Sequence, residues 1–148
     1  MGFFSSLDIS ASGLTAQRLR MDTISQNIAN INTTRTENGT PYRRRVVIFE
    51  ERNVNVPFSD YLTESSKEKY IGKGVRVARI VEDSTPFKRV YDPGHPDADE
   101  NGYVLMPNVD IITEMVNMIS ATRAYEANVT SINTTKSMAM KALEIGRG

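Results

Sequence analysis

The chain has 148 residues, with 18 Lys plus Arg balanced by 18 Asp plus Glu, one histidine and no cysteine. Balanced charge gives no bulk attraction for nucleic acid or an anionic membrane, and the lack of thiols excludes disulfides, zinc–thiolate sites and cysteine nucleophiles. No run approaches the roughly 18 apolar residues of a membrane span, so membrane insertion is not expected.

The start MGFFSSLDIS has neither a cationic n-region nor a long apolar h-region, so no cleaved secretory signal is read there. Met1-Gly2 followed by Ser6 fits a myristoylation pattern, but the same residues serve as a helix start. Ser5 and Asp8 have capping-box spacing, with Phe4 and Ile9 at the hydrophobic-staple positions. From there Leu7, Ser10, Leu14, Gln17, Met21, Ile24, Ile28 and Ile31 follow alternating steps of three and four. That spacing predicts a helix from about Ser6 to Ile31 with a narrow stripe facing another helix. It must end by Asn38-Gly39-Thr40-Pro41. Asn27 and Asn30 flank Ile28 and read as register-fixing polar groups beside the seam, the rival reading being a fraying helix end.

The middle is of β type. Val46–Phe49 is a short strand candidate, and residues 50–72 are polar and read as a mobile loop. Gly74 leads into Val75–Val81, a strand whose alternation slips near Arg79. Arg89–Tyr91 and Tyr103–Leu105 are further short strands around a turn-rich segment. Arg43-Arg44-Arg45 has no aromatic platform for nucleic acid, and reads as a charged strand edge or as partners for Glu50 and Glu51. Asn108 is the expected N-cap of a last helix, with Asp110 in its first turn and Gly146 as its left-handed close. Along that helix Ile111, Met115, Met118, Thr122, Tyr125, Val129, Ile132, Lys136, Ala139 and Leu143 repeat the three-four spacing. The reading is an α+β chain in which two long terminal helices pair as an antiparallel coiled coil around a small β-rich insert. Residues 1–38 and 107–148 form the helical domain and 39–106 the insert. Helices of this length run roughly 40 and 57 Å at about 1.5 Å per residue, which points to assembly rather than catalysis.

Two chemical readings compete with assembly. His95 beside Asp97, Asp99 and Glu100 could suggest a small catalytic site, but neither a nucleophile nor a pocket is signalled. Asp97, Asp99, Asn101 and Gly102 match the first half of a calcium loop, giving the alternative of a calcium-responsive helical binding module. The position that should carry a bidentate glutamate is Asn108, preceded by Pro107, and Pro93–Pro96 cannot supply an entering helix. No catalytic, cofactor or metal residue is therefore expected.

The string Gln26–Thr33 resembles the N-terminal signature of the flagellar rod and hook family, and Arg123–Asn128 is similar to its C-terminal motif. Tyr91–Val104 with Met106–Asp110, continued by Glu114–Met118, resembles the string of a proximal rod subunit. The resemblance covers nearly the whole chain except residues 50–72. It implies a structural subunit of the bacterial flagellar basal body, packed helically into the periplasmic rod that carries torque from motor to hook. It further implies export without a cleaved signal through the flagellar type III apparatus, with Phe3 and Leu7 as the candidate export signal. The implied partners are other copies, the rod proteins FlgB, FlgF and FlgG, and the basal adaptor FliE. The implied assembly interface comprises Leu7, Leu14, Met21, Ile24, Asn27, Ile28, Asn30, Ile31, Met115, Met118, Tyr125, Asn128, Val129, Ile132 and Leu143.

Overall fold

The computed structural model describes residues 3–52 and 73–146. The expected loop at 50–72 falls almost entirely outside them. In chain order the elements are α1 (Phe3–Ala29), β1 (Arg45–Glu51), β2 (Val75–Glu82), β3 (Lys88–Tyr91), β4 (Tyr103–Met106) and α2 (Ile111–Ile145). This is the expected α+β order of helix, β-rich insert, helix.

The start of α1 differs from expectation. It begins at Phe3, so Ser5 and Asp8 lie inside its first turns rather than forming a capping box, and the staple residue Phe4 is exposed. No glycine or proline in 3–10 interrupts the helix, and the turn before Ser6 simply continues it. At the other end Asn30 donates its Nδ2 to the Gln26 carbonyl at 2.8 Å, and Thr33 Oγ1 reaches Asn30 Oδ1 at 3.2 Å. The Gln26 carbonyl accepts from the Asn30 backbone N as well, at 3.1 Å, so Asn30 grips the last turn twice.

The start of α2 also differs. Its cap is Asp110, whose Oδ2 accepts from the Thr113 backbone N at 3.0 Å and from Thr113 Oγ1 at 2.7 Å. These bonds hold the Asp110 carboxyl below its ordinary pKa. The expected cap, Asn108, is committed elsewhere: its Oδ1 accepts from the Arg44 backbone N at 2.8 Å. Gly146 closes no left-handed turn. It bonds back to Ala142 O at 3.1 Å in the helical pattern, while the positive φ angles among described glycines belong to Gly39, Gly74 and Gly102.

Strands β1 and β2 pair with each other, and β3 pairs with β4. The first pair is bracketed by Asp83 N to Arg44 O at 2.8 Å and Arg52 N to Gly74 O at 2.9 Å, so it runs antiparallel. The second is an antiparallel hairpin with Lys88 opposite Met106 and Tyr91 opposite Tyr103. Tyr91 and Tyr103 meet edge to face at 5.3 Å between centroids.

The chain divides into two compact units. One contains Met1–Arg18, Phe49–Ala78 and Arg123–Gly148. Within it the helices meet through small side chains: Ser10 Oγ lies 3.3 Å from Ser131 Oγ, and the Asn128 amide fills the space where a Gly13 side chain would stand. The other contains Leu19–Ile48 and Arg79–Thr122. There Thr122 Oγ1 approaches Met21 Sδ at 3.6 Å and Asn27 meets Glu114 at 2.9 Å. Residue numbers rise along α1 as they fall along α2, so the helices pair antiparallel. The core of this second unit includes Ile24, Tyr42, Val104, Val109 and Ala121.

Candidate functional site

Among the described residues a dense polar arrangement lies inside the second unit and joins α1 to the insert and to α2. Asn27 is 1% exposed and Glu114 is 0% exposed. Asn27 Nδ2 donates to Glu114 Oε2 and to Arg45 O, both at 2.9 Å. Its Oδ1 accepts from Tyr42 Oη and from the Arg45 backbone N, again at 2.9 Å. Both donors and both lone pairs of one amide are thus satisfied, as a buried polar group requires.

Glu114 is balanced from its other oxygen. Arg44 Nε and Nη2 reach Glu114 Oε1 at 2.8 and 2.7 Å, and Arg44 Nη1 reaches Asp83 Oδ2 at 3.1 Å. Burial pulls the Arg44 pKa down, but its bonds to Glu114 and Asp83 overcome that and leave it raised. Bonds from the Thr85 backbone and hydroxyl, reinforced by Arg44, hold the Asp83 carboxyl below its ordinary value. Burial raises the Tyr42 phenol, countered in part by Arg45. Asn108 completes the cluster, donating Nδ2 to Asp83 O and Thr85 O, each at 3.1 Å.

The arginine run is therefore neither a free charged edge nor a partner for Glu50 and Glu51. Arg43 donates to Asp83 O at 3.0 Å and stacks 4.4 Å from the Phe87 ring centroid, Arg44 holds Glu114 and Asp83, and Arg45 lies over Tyr42. Glu50 pairs instead with Arg76. Strand pairing brings residues 43–45 beside 83–87, which their sequence distance had hidden.

The aspartate-rich turn is held by its own backbone. Asp99 Oδ1 accepts from Asn101 N and Tyr103 N, both at 2.9 Å. Asp97 Oδ2 accepts from Thr34 Oγ1 at 2.8 Å. His95 Nδ1 accepts from the Asp97 backbone N at 3.1 Å, so His95 meets the peptide of Asp97 and not its carboxylate. Among the described residues no group of three His, Cys, Asp or Glu side chains is placed to hold a metal. Nothing in this geometry supports the calcium reading: the Asp99 carboxylate is taken up as a turn acceptor and that of Asp97 by the Thr34 hydroxyl.

The residues expected at an assembly interface fall into three groups. Ile24 and Asn27 are buried, while Leu7, Leu14, Met21, Ile28, Asn30, Ile31, Met118, Tyr125, Asn128, Val129 and Ile132 are half-buried. Met115 and Leu143 are exposed. Phe3 opens α1, and its side chain lies outside what the structure describes. Asn30 and Asn128 bond carbonyls of their own helices, whereas Asn27 bonds across to α2. Sequence reasoning missed Glu114 as a buried anchor. The signal available was a carboxylate on the turn that also carries the expected stripe.

A second feature of the same unit is an uncovered apolar face on α2. Ile112 is 71%, Met115 54%, Val116 61% and Ile119 53% exposed. At 3.6 residues per turn they lie on the side of α2 opposite Glu114 and Ala121, the side that faces away from α1. No described helix is long and apolar enough to cross a membrane, so this face is not part of a spanning segment.

Residues 7–35 match the family described as "Flagella basal body rod protein". Residues 100–145 match "Flagellar basal body rod FlgEFG protein C-terminal". The chain is 53% identical to the flagellar basal-body rod protein FlgC of Borreliella burgdorferi, over all of both chains. It is 51% identical to FlgC of Bacillus subtilis over 99% of this chain and all of the relative. It is 40% identical to FlgC of Salmonella typhimurium over the same shares. The two matched segments contain Asn27 and Glu114, so the helix pair and its buried link lie within the regions of similarity. Paired terminal helices, an uncovered apolar face and full-length similarity agree: the chain belongs to the FlgC family of flagellar basal-body rod proteins, structural subunits of that rod.

Proposed function

We propose that the chain is a non-catalytic subunit of the periplasmic rod that polymerises helically through α1 and α2 and passes torque from motor to hook. The exposed row Ile112, Met115, Val116 and Ile119 carries this reading. A contiguous apolar row on a helix already packed on its other side favours a protein partner. Covering what remains exposed of each such side chain contributes about 1–2 kcal/mol, a gain that counts against the loss of motional freedom on assembly. Rigidity under torque then comes from many seams in parallel.

In this reading residues 1–38 and 107–148 supply the helical layer and 39–106 set contacts between neighbouring subunits. The partners are other copies, FlgB, FlgF, FlgG and FliE. The chain reaches the periplasm uncleaved through the flagellar type III export apparatus, with Phe3 and Leu7 as the signal that apparatus reads. Leu7, Leu14, Ile28 and the other half-buried seam residues are completed by neighbouring subunits. The test is Val116→Asp with Ile119→Asp, both on the exposed face. The variant is expected to be expressed and exported and to melt like the wild type, but to form no rod and give no swimming. Wild-type swimming overturns the proposal.

A further inference from the structure

We infer that Asn38 is a site of spontaneous covalent modification, at which the folded chain converts this asparagine through a cyclic imide to aspartate and isoaspartate, while Asn101 in a matching turn is protected. The inference goes beyond the rod reading and does not rest on it.

The chain carries one short sequence twice, Glu37-Asn38-Gly39 and Glu100-Asn101-Gly102. Every other asparagine is followed by Ile, Val, Thr or Met, whose side chains hinder the next backbone nitrogen, whereas glycine leaves it open. The two copies also fold alike. Thr36 N donates to Thr40 O and Gly39 N to Thr36 O, both at 2.9 Å. Asp99 N donates to Tyr103 O at 2.8 Å and Gly102 N to Asp99 O at 2.9 Å. The glycines have φ of +74 and +77, in the left-handed region that glycine enters without steric cost. Asn38 and Asn101 are both exposed.

The surroundings differ. Residues 37–40 are all exposed, and a Cβ added at Gly39 would meet nothing within 4 Å. Beyond its backbone bonds this turn is held by Thr36 Oγ1, which donates to Thr40 O at 2.8 Å. Gly102 is half-buried, and a Cβ added there would stand 3.0 Å from the Tyr91 ring and 3.2 Å from Pro93 Cβ. Asp99 Oδ1 accepts from Asn101 N and Tyr103 N, and Gly102 O accepts from Asp92 N, all at 2.9 Å. The second turn is thus tied at Asn101 and on both sides of it, and it continues into the paired strands β3 and β4.

The chemistry needs only base and water. The Gly39 backbone nitrogen gives its proton to hydroxide and attacks Asn38 Cγ. The N–Cγ bond forms, the Cγ–Nδ2 bond breaks, and Nδ2 takes up a proton and leaves as ammonia. Water then opens the five-membered imide at either carbonyl, giving aspartate or an isoaspartyl link with one more backbone atom. Attack requires Gly39 N to leave Thr36 O and the Asn38 backbone to rotate, so the rate follows the ease of local opening. An exposed turn without packing opens more readily than one pinned by a carboxylate and two rings. The fold also tolerates the product. Tyr42 N donates to Thr33 O at 3.0 Å, clamping the ends of the loop that absorbs the added atom. The native chain therefore gains one negative charge at this turn without unfolding.

The test incubates the full chain in mildly alkaline buffer, with and without urea, and follows mass gain and isoaspartate at each site by peptide mapping. In buffer Asn38 is expected to convert about tenfold faster than Asn101, and in urea the two rates converge to within about twofold. Thr36→Asp gives the first turn the carboxylate of the second and is expected to slow Asn38 about tenfold. Asp99→Ala is expected to speed Asn101 by a similar factor. The Thr36 variant stands by itself should Asp99→Ala fail to fold. Equal rates in buffer overturn the inference. A difference that persists in urea does so too, since it would belong to the flanking residues and not to the fold. Conversion of Asn38 unchanged by Thr36→Asp is the third result that would overturn it.

Discussion

Asn27 on α1 and Glu114 on α2 are both closed off from water and share a hydrogen bond of 2.9 Å, Nδ2 to Oε2. Their other atoms are satisfied by Tyr42, Arg44 and Arg45 from the segment entering β1. A buried ionised carboxylate is tolerated only when paired and fully bonded. Arg44 supplies the charge and Asn27 the remaining donor. The pair therefore fixes which residue of α1 stands opposite which residue of α2: a slip by one would leave a charged group and an amide unpaired in the core.

Removing one member of this cluster should cost more than its small size suggests. Glu114→Ala is expected to lower unfolding free energy by about 3–5 kcal/mol, because Arg44 is left partly buried with one carboxylate fewer. Asn27→Asp, of almost the same shape, places a second carboxylate against Glu114 and loses the donor to Arg45 O; about 2–4 kcal/mol is expected. Urea unfolding followed by circular dichroism measures both. A loss below about 1 kcal/mol in each would contradict the anchoring role.

The pH dependence follows from the same cluster. Asp83 is held below its ordinary pKa by Thr85 and Arg44, and Asp110 by Thr113. The unfolded chain thus takes up these protons first as pH falls. Their contribution is complete above the unfolded carboxylate value of about 4 and is lost as pH drops through the lower folded values. Asp83→Asn should flatten the acid limb of the urea midpoint plotted against pH. Superimposable acid limbs for the two proteins would rule Asp83 out as a contributor. Tyr42 acts at the other end: its raised folded pKa means that its contribution is complete below about 10 and is lost as pH rises further.

Two glycines with positive φ separate backbone strain from packing. Gly39 has φ +74 and nothing within 4 Å of an added Cβ, so Gly39→Ala is expected to cost only about 1 kcal/mol. Gly74 has φ +99, and an added Cβ would stand 2.1 Å from Ser12 Oγ and 3.2 Å from Ile9 Cα. Ser12 Oγ cannot easily move, since it donates to Ile9 O and accepts from Val75 N. Gly74→Ala is expected to cost about 3 kcal/mol or more. Thermal melts of the two variants make the comparison, and equal shifts would show that packing at Gly74 adds nothing.

Seam residues and face residues should separate stability from assembly. Leu14 and Ile28 are half-buried in the monomer, so Leu14→Asp or Ile28→Asp is expected to lower the melting temperature and abolish swimming together. Val116→Asp lies on the exposed face and should abolish swimming with stability changed by less than about 0.5 kcal/mol. Swimming assays on soft agar, set beside melts of the purified chains, test this division. Loss of stability in Val116→Asp equal to that in Leu14→Asp would show that the face is already covered within the chain.

The order of elements is legible in the amino-acid sequence because each rests on local signals. Three-four spacing marked α1 and α2, β-branched runs marked β1 and β2, and the Asp- and Gly-rich string marked the turn before β4. Its weaknesses were at the ends. α1 starts three residues before Ser6, and the cap of α2 is Asp110 because Asn108 is drawn away to Arg44 and Asp83. How the arginine run and Glu114 are used depends on packing between distant segments. Periodicity in α2 marked Met115, which is exposed, and passed over its neighbour Glu114, which is fully buried. The physical reason is that apolar spacing reports which side chains avoid water by themselves. A carboxylate goes inside only when a guanidinium and an amide are waiting there, and these come from positions 70 and 87 residues away in the chain.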